Sequence, residues 1–199
     1  MMSVEQHHKI RFIAASIILA AMLQIKPEWF IYSKFEMLSQ PWRFLTAHWV
    51  HVGWMHYLLN MIAFVCLPFI FPKIKTSILL GLVILLPLVL SLIFYFAYPN
   101  IELYAGFSGV LHGLYCMAAL VSLNDGKERG FALLILFGLI IKLLWEAIVG
   151  ELSATARLIG SPVLIEAHQL GVGISVLLFI LLMIFKNKNP KIDSRQLTK

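Results

Sequence analysis

Six apolar runs take up most of this chain: Ile10 to Ile25, Met55 to Phe71, Thr76 to Tyr98, Ser108 to Leu123, Gly130 to Val149 and Ala167 to Phe185. None alternates as a half-buried strand does. In hydrocarbon each segment must satisfy its own backbone N–H and C=O groups, so every run is expected to be a helix. With 60% hydrophobic and 13% charged residues and a mean hydropathy of +0.87, the chain lies far from an ordinary soluble domain, which has about 45–50% apolar and about 25% charged residues. Its 199 residues hold about six helices of about 20 residues with short loops, and no separate soluble domain. The expected fold is an all-α bundle of six transmembrane helices, a single domain over residues 1–185, followed by a basic tail over 186–199. The first run, flanked by Lys9 and Arg11, reads as an uncleaved signal anchor because five further spans follow it. Cys66 and Cys116 lie inside apolar runs, where a thiol behaves as a small hydrophobe and implies no disulfide framework.

Loop charges give an orientation, because lysine and arginine accumulate on the cytoplasmic side of short loops. Six spans put both termini on one side, together with Lys9, Arg11, Lys73, Lys75, Lys127, Arg129, Lys186, Lys188, Lys191, Arg195 and Lys199. Only Lys26, Lys34, Arg43 and Arg157 fall opposite. Both termini are therefore expected in the cytoplasm. The same asymmetry accounts for the net charge of +6, so nucleic acid is not an expected partner. The tail is expected to be solvated and to touch anionic lipid.

Against this apolar background a few polar residues stand at membrane depth, where they lose water and must find partners; such residues are functional candidates. Ser108 lies in Gly106-Phe107-Ser108-Gly109, His168 opens the sixth run, and His48, His51, His56 and Asn60 surround the start of the second. Runs two, four and six all enter from the outer face, so a hydroxyl, an imidazole and an amide converge on one leaflet, the minimum for acyl transfer. The fourth run, about 24 Å long as a helix, is shorter than the hydrocarbon core of about 30 Å and should begin below the outer surface. Ser108 would then sit at the positive end of its helix, beside free N–H groups. Gly109 and Gly113 form a small-residue face, and Ala167 and Gly171 a matching one, so that runs four and six can approach closely.

Each residue also has a plainer reading. Ser108 can cap a helix, His168 can bond a carbonyl, and Asn60 can hold two helices together. Trp29, Trp42, Trp49, Trp54 and Tyr57 read as interfacial anchors. Arg43 either ties the first outer loop through backbone carbonyls or contacts lipid phosphate. Lys142 and Glu146, four apart in the fifth run, read first as a mutually neutralising pair; with Glu146 toward the outer end, the alternative is that it orients part of the active site or holds a polar substrate group.

Jointly these features resemble the rhomboid intramembrane serine proteases. The likeness rests on Gly-x-Ser-Gly at 106–109 with Gly113, Ala-His-x-x-Gly at 167–171, His51-x4-His56-x3-Asn60, and the Trp42-Arg43 pair. The short chain, Thr46-Ala47-His48-x-x-His51 and the Gly-Val-Leu-His-Gly stretch at 109–113 are most similar to the rhombosortase branch. The resemblance implies Ser108 as nucleophile and His168 as general base, a dyad without a carboxylate, with oxyanion donors from His56, Asn60 and the Ser108 N–H. It implies no cofactor and no metal. It also implies a bacterial inner-membrane enzyme whose site opens to the periplasm, and single-pass membrane-anchored substrates carrying a Gly-Gly-type C-terminal sorting tail. Relative to many rhomboids the first histidine of the cluster is displaced by one residue, to His48, which is given no role. His112, one turn after Ser108, stands as a competing base. Two rival readings are a catalytically inactive rhomboid relative that binds membrane clients, and a metal or haem protein built on His48, His51 and His56. The latter cluster has no accompanying carboxylate and leaves Ser108 without a task.

Overall fold

Polar side chains decide where the first helix starts. In the computed structural model, which describes residues 4–150 and 154–188, α1 spans Val4–Leu23 and begins ahead of the apolar run expected from Ile10. The extra turns are held because Glu5 accepts bonds from Thr76 N and Oγ1 at 2.6 and 2.8 Å, and Lys9 Nζ donates to Pro72 O at 2.8 Å. Seven more α-helices follow among the described residues: α2 Arg43–Thr46, α3 Trp54–Ile70, α4 Thr76–Ala97, α5 Ser108–Ser122, α6 Arg129–Val149, α7 Ala154–Ile159 and α8 Ile165–Lys188. The α7 turn was not expected. The last helix runs past Phe185, and residues 189–199 of the expected basic tail lie outside the described residues.

Three helices, α4, α6 and the Ile165–Phe185 part of α8, are long and apolar enough to cross a membrane, while α3 and α5 are shorter apolar helices. Their packing is unequal. α5 is buried along most of its length, with Val110, Leu114, Met117 and Ala119 in the core, whereas α6 buries only Ala132 and Glu146 and turns Phe137, Ile141, Leu144 and Ile148 outward. Apolar side chains exposed all along a helix suit lipid rather than water. α5 and α8 approach each other closely. A Cβ at Gly109 would meet Ala167 O at 2.8 Å, and one at Gly113 would meet Gly171 O at 2.8 Å. Small residues thus let the two backbones touch, and Ser175 Oγ donates to Gly113 O at 2.8 Å across the same seam.

Between α1 and α3 the loop is pinned rather than free. Arg43 is buried, and its Nη1 donates to Glu28 O and Ile31 O at 3.0 and 2.7 Å while Nη2 pairs with Glu36 at 2.9 Å. The guanidinium therefore binds backbone carbonyls, one of the two readings its position allowed. Gln24 clamps His51 through both of its backbone groups, at 2.8 and 2.7 Å. A two-residue antiparallel ladder joins β1, Tyr32–Ser33, to β2, Leu103–Tyr104, and so couples this loop to the segment just before Ser108. Trp49 corrects the view of the tryptophans as interfacial anchors. It is buried and stacks on Phe107 with ring centroids 4.5 Å apart, because the loop folds back onto Phe107 and Phe64 and needs a flat apolar filler there. Trp29, Trp42 and Trp54 are exposed.

Candidate active site

Ser108 is the first residue of α5, and the chain reaches it through a bend that only glycine takes easily. Gly106 has φ +141°, and a Cβ there would meet the His56 ring at 2.7 Å. The same residue is held from both sides, by its N–H donating to Ala47 O at 3.1 Å and by Tyr104 Oη donating to its carbonyl at 2.7 Å. Gly106→Ala is therefore expected to destabilise the fold by about 1–3 kcal/mol through backbone strain alone. A lowered melting temperature in detergent, before any assay of activity, checks this.

Close packing of α5 on α8 brings Ser108 to His168. Ser108 Oγ–H donates to His168 Nε2 at 2.8 Å, and His168 Nδ1–H donates to Glu146 Oε2 at 2.7 Å. A carboxylate only accepts, so in the neutral ring the proton belongs on Nδ1 and the lone pair of Nε2 faces the hydroxyl. The other carboxylate oxygen, Oε1, takes Lys142 Nζ at 2.6 Å. Glu146 is thus not solely the partner of Lys142, and the Ser–His pair does have a carboxylate beside it. The contact departs from the expected dyad without a carboxylate, and of the two readings open to Glu146 it favours the one in which the residue orients part of the site. The signal available in the sequence was an acidic residue near the outer end of a span, but Lys142 one turn away offered a sufficient reason for it.

His112 lies on the same face of α5 as Ser108 but is engaged elsewhere. Its Nδ1–H donates to the Ser108 carbonyl oxygen at 2.7 Å, and its ring stacks on that of His168 with centroids 4.0 Å apart and planes 13° from parallel. His56 and Asn60, one turn apart on α3, line a cavity of about 760 Å³ together with Ser108, His112, Lys142 and His168. Both are buried, and the Asn60 Nδ2 donor and His56 Nδ1 have no protein partner among the described residues. A donor held without an acceptor at the edge of a cavity is the arrangement that can receive a charge developing on a bound group.

Metal binding has one geometric candidate among the described residues: donor atoms of His112, Glu146 and His168 lie within 4.8 Å of one another. Imidazole ligates through a lone pair in the ring plane, and two rings stacked nearly parallel cannot aim those lone pairs at one ion. His48, His51 and His56 do not gather into a ligand set either. His48 Nε2 pairs with Ser91 Oγ at 3.0 Å, and burial pushes its imidazole down to about 3, which keeps it neutral. His51 and His56 meet edge to face at 4.9 Å.

Comparison with curated proteins returns no match. A family model described as Rhomboid domain matches residues 38–185, a stretch that contains Ser108, His168, His56, Asn60 and Glu146. With most of its length so matched, the chain belongs to the rhomboid family of membrane proteins, whose members are generally intramembrane serine proteases.

Proposed function

We propose that this protein is an intramembrane serine endopeptidase in which Ser108 attacks the scissile carbonyl and His168 is the general base. The observation that carries this reading is the 2.8 Å hydrogen bond between Ser108 Oγ and His168 Nε2 on the wall of the cavity. As Oγ bonds to the carbonyl carbon, its proton passes to Nε2 and then to the departing amine; water repeats the sequence to free the acyl group from Ser108. The developing oxyanion lies near the start of α5, where the Ser108 N–H, Asn60 and His56 supply donors. Asn60→Ala is expected to lower kcat about 10²-fold with little change in KM, because the donor acts mainly on the charged intermediate. Steady-state kinetics in liposomes checks it.

The chain is proposed to form one domain over 1–185 with a cytoplasmic basic tail over 186–199, crossing a bacterial inner membrane six times. In this reading α1, α3 and α5 complete the spans that α4, α6 and α8 begin. The charge asymmetry of the loops supports cytoplasmic termini and a site that opens to the periplasm. Motif similarity supports the rhombosortase branch, and with it single-pass substrates bearing a Gly-Gly-type motif, one transmembrane helix and a basic C-terminus.

A fluorophosphonate probe and a reporter carrying such a tail, in reconstituted membranes, test both levels of the proposal. The probe should label the wild type and not Ser108→Ala, and the reporter should be cut only while its Gly-Gly motif is intact. Labelling that persists in Ser108→Ala ends the protease reading. Equal cleavage of a reporter without the motif ends the branch assignment alone.

A further inference from the structure

We propose that Glu146 is a positioning residue that completes a Ser108–His168–Glu146 triad, so that this protease does not work through a bare serine–histidine pair; the proposal rests on the serine-protease reading above. Glu146 is the one polar side chain that α6 buries, on a helix that otherwise turns its apolar residues outward. It holds His168 Nδ1 at 2.7 Å from the far side of the ring to Ser108. A pair whose task was only to neutralise Lys142 has no need of this second contact. The Lys142 side chain is 41% exposed and Glu146 2%, so the carboxylate has been buried further than its lysine. Burial of an anion carries a solvation cost that such a surface-leaning pair does not require.

Chemically, the contact does two things. It fixes the tautomer, since a proton on Nδ1 leaves Nε2 with the lone pair that must accept from Ser108 Oγ. It also puts a negative charge beside the imidazolium that forms when Nε2 takes the Ser108 proton. That proton stays on Nε2 until it passes to the leaving amine, and Glu146 itself is never protonated. Lys142 on Oε1 and the stacked His112 ring leave the carboxylate and the imidazole little freedom to turn away.

A double-mutant cycle separates this role from simple neutralisation of Lys142. Wild type, Glu146→Gln, Lys142→Met and the double variant are compared by kcat and KM on the tailed reporter in liposomes, with Ser108→Ala as the reference. Glutamine can offer its NH₂ to Nδ1 and so stabilise the wrong tautomer. Glu146→Gln is expected to lower kcat about 10²-fold or more while KM changes less than about threefold. The double variant should remain as slow. Recovery of the wild-type kcat in the double variant, or a Glu146→Gln enzyme within about threefold of wild type, would overturn the triad. Should Glu146→Gln fail to fold, ¹⁵N-histidine solid-state NMR of the unsubstituted protein decides. His168, assigned by difference from His168→Ala, should carry its proton on Nδ1, and a proton on Nε2 alone refutes the proposal. Cleavage that survives Ser108→Ala would instead bring down the protease reading itself, whereas a dead Ser108→Ala beside a fully active Glu146→Gln removes only the triad.

Discussion

Replacing Ser108 by alanine is expected to lower cleavage of a membrane reporter about 10⁶-fold, with His168→Ala close behind and the double variant no worse than either. Non-additivity follows from the geometry. The hydroxyl and the imidazole are joined by a single hydrogen bond of 2.8 Å, so without its base Ser108 is a weak nucleophile, and without Ser108 the base has no proton to accept. Whatever rate survives comes from the oxyanion donors and from binding, which no single substitution of the pair removes. The loss should not reflect unfolding. Ser108 is only half-buried and opens on the cavity, so alanine there leaves no core void and the melting temperature should change little. His112→Ala should lose far less than either, because its Nδ1 is already committed to the Ser108 carbonyl and it makes no bond to Oγ. Initial rates in proteoliposomes, normalised to folded protein, give the comparison. A Ser108→Ala enzyme that keeps more than about one hundredth of the rate, or losses that multiply in the double variant, contradicts the assignment.

Much of this was open to inspection in the chain because the relevant physics is local. Long apolar runs fix helices wherever they occur. Ser108 and His168 stand out because each opens such a run, and Gly109, Gly113, Ala167 and Gly171 carry the helix contact in their spacing. Glu146 was harder for a definite reason. Its bond to His168 joins α6 to α8, and α6 is apolar nearly all round, so no hydrophobic stripe reveals which face turns inward. A nearby Lys142 supplied a local partner, which made the neutralising pair the favoured reading over a role for Glu146 in the site. Trp49 misled in the opposite way. Aromatics near a membrane surface usually mark the interface, and only the folding of the loop between α1 and α3 against Phe107 puts this one in the core. The start of α1 was missed because it depends on Glu5 reaching Thr76, a contact between segments far apart in sequence.

Gly171→Ala is expected to lower kcat about 10³-fold while leaving Ser108, His168 and Glu146 all in the chain. A Cβ at Gly171 would overlap the carbonyl oxygen of Gly109 and crowd its carbonyl carbon at 3.0 Å. Both neighbours are backbone in a helix, so no rotamer relieves the overlap and the two helices must part by roughly an ångström or more, where each 1 Å of misplacement costs about 10² in rate. That displacement falls directly on Ser108 and His168. Gly109 follows Ser108 in sequence and His168 lies one turn before Gly171, so parting the helices there stretches the hydrogen bond from Oγ to Nε2. Overpacking should also cost about 1–3 kcal/mol of stability, which a modest drop in melting temperature would register without unfolding the protein at assay temperature. Gly173→Ala supplies the contrast on the same helix. A Cβ there meets nothing within 4 Å, so activity should hold and stability should gain up to about 1 kcal/mol from helix propensity. If Gly171→Ala cleaves at more than about a tenth of the wild-type rate, the close approach of α5 and α8 is not what brings the serine to its base.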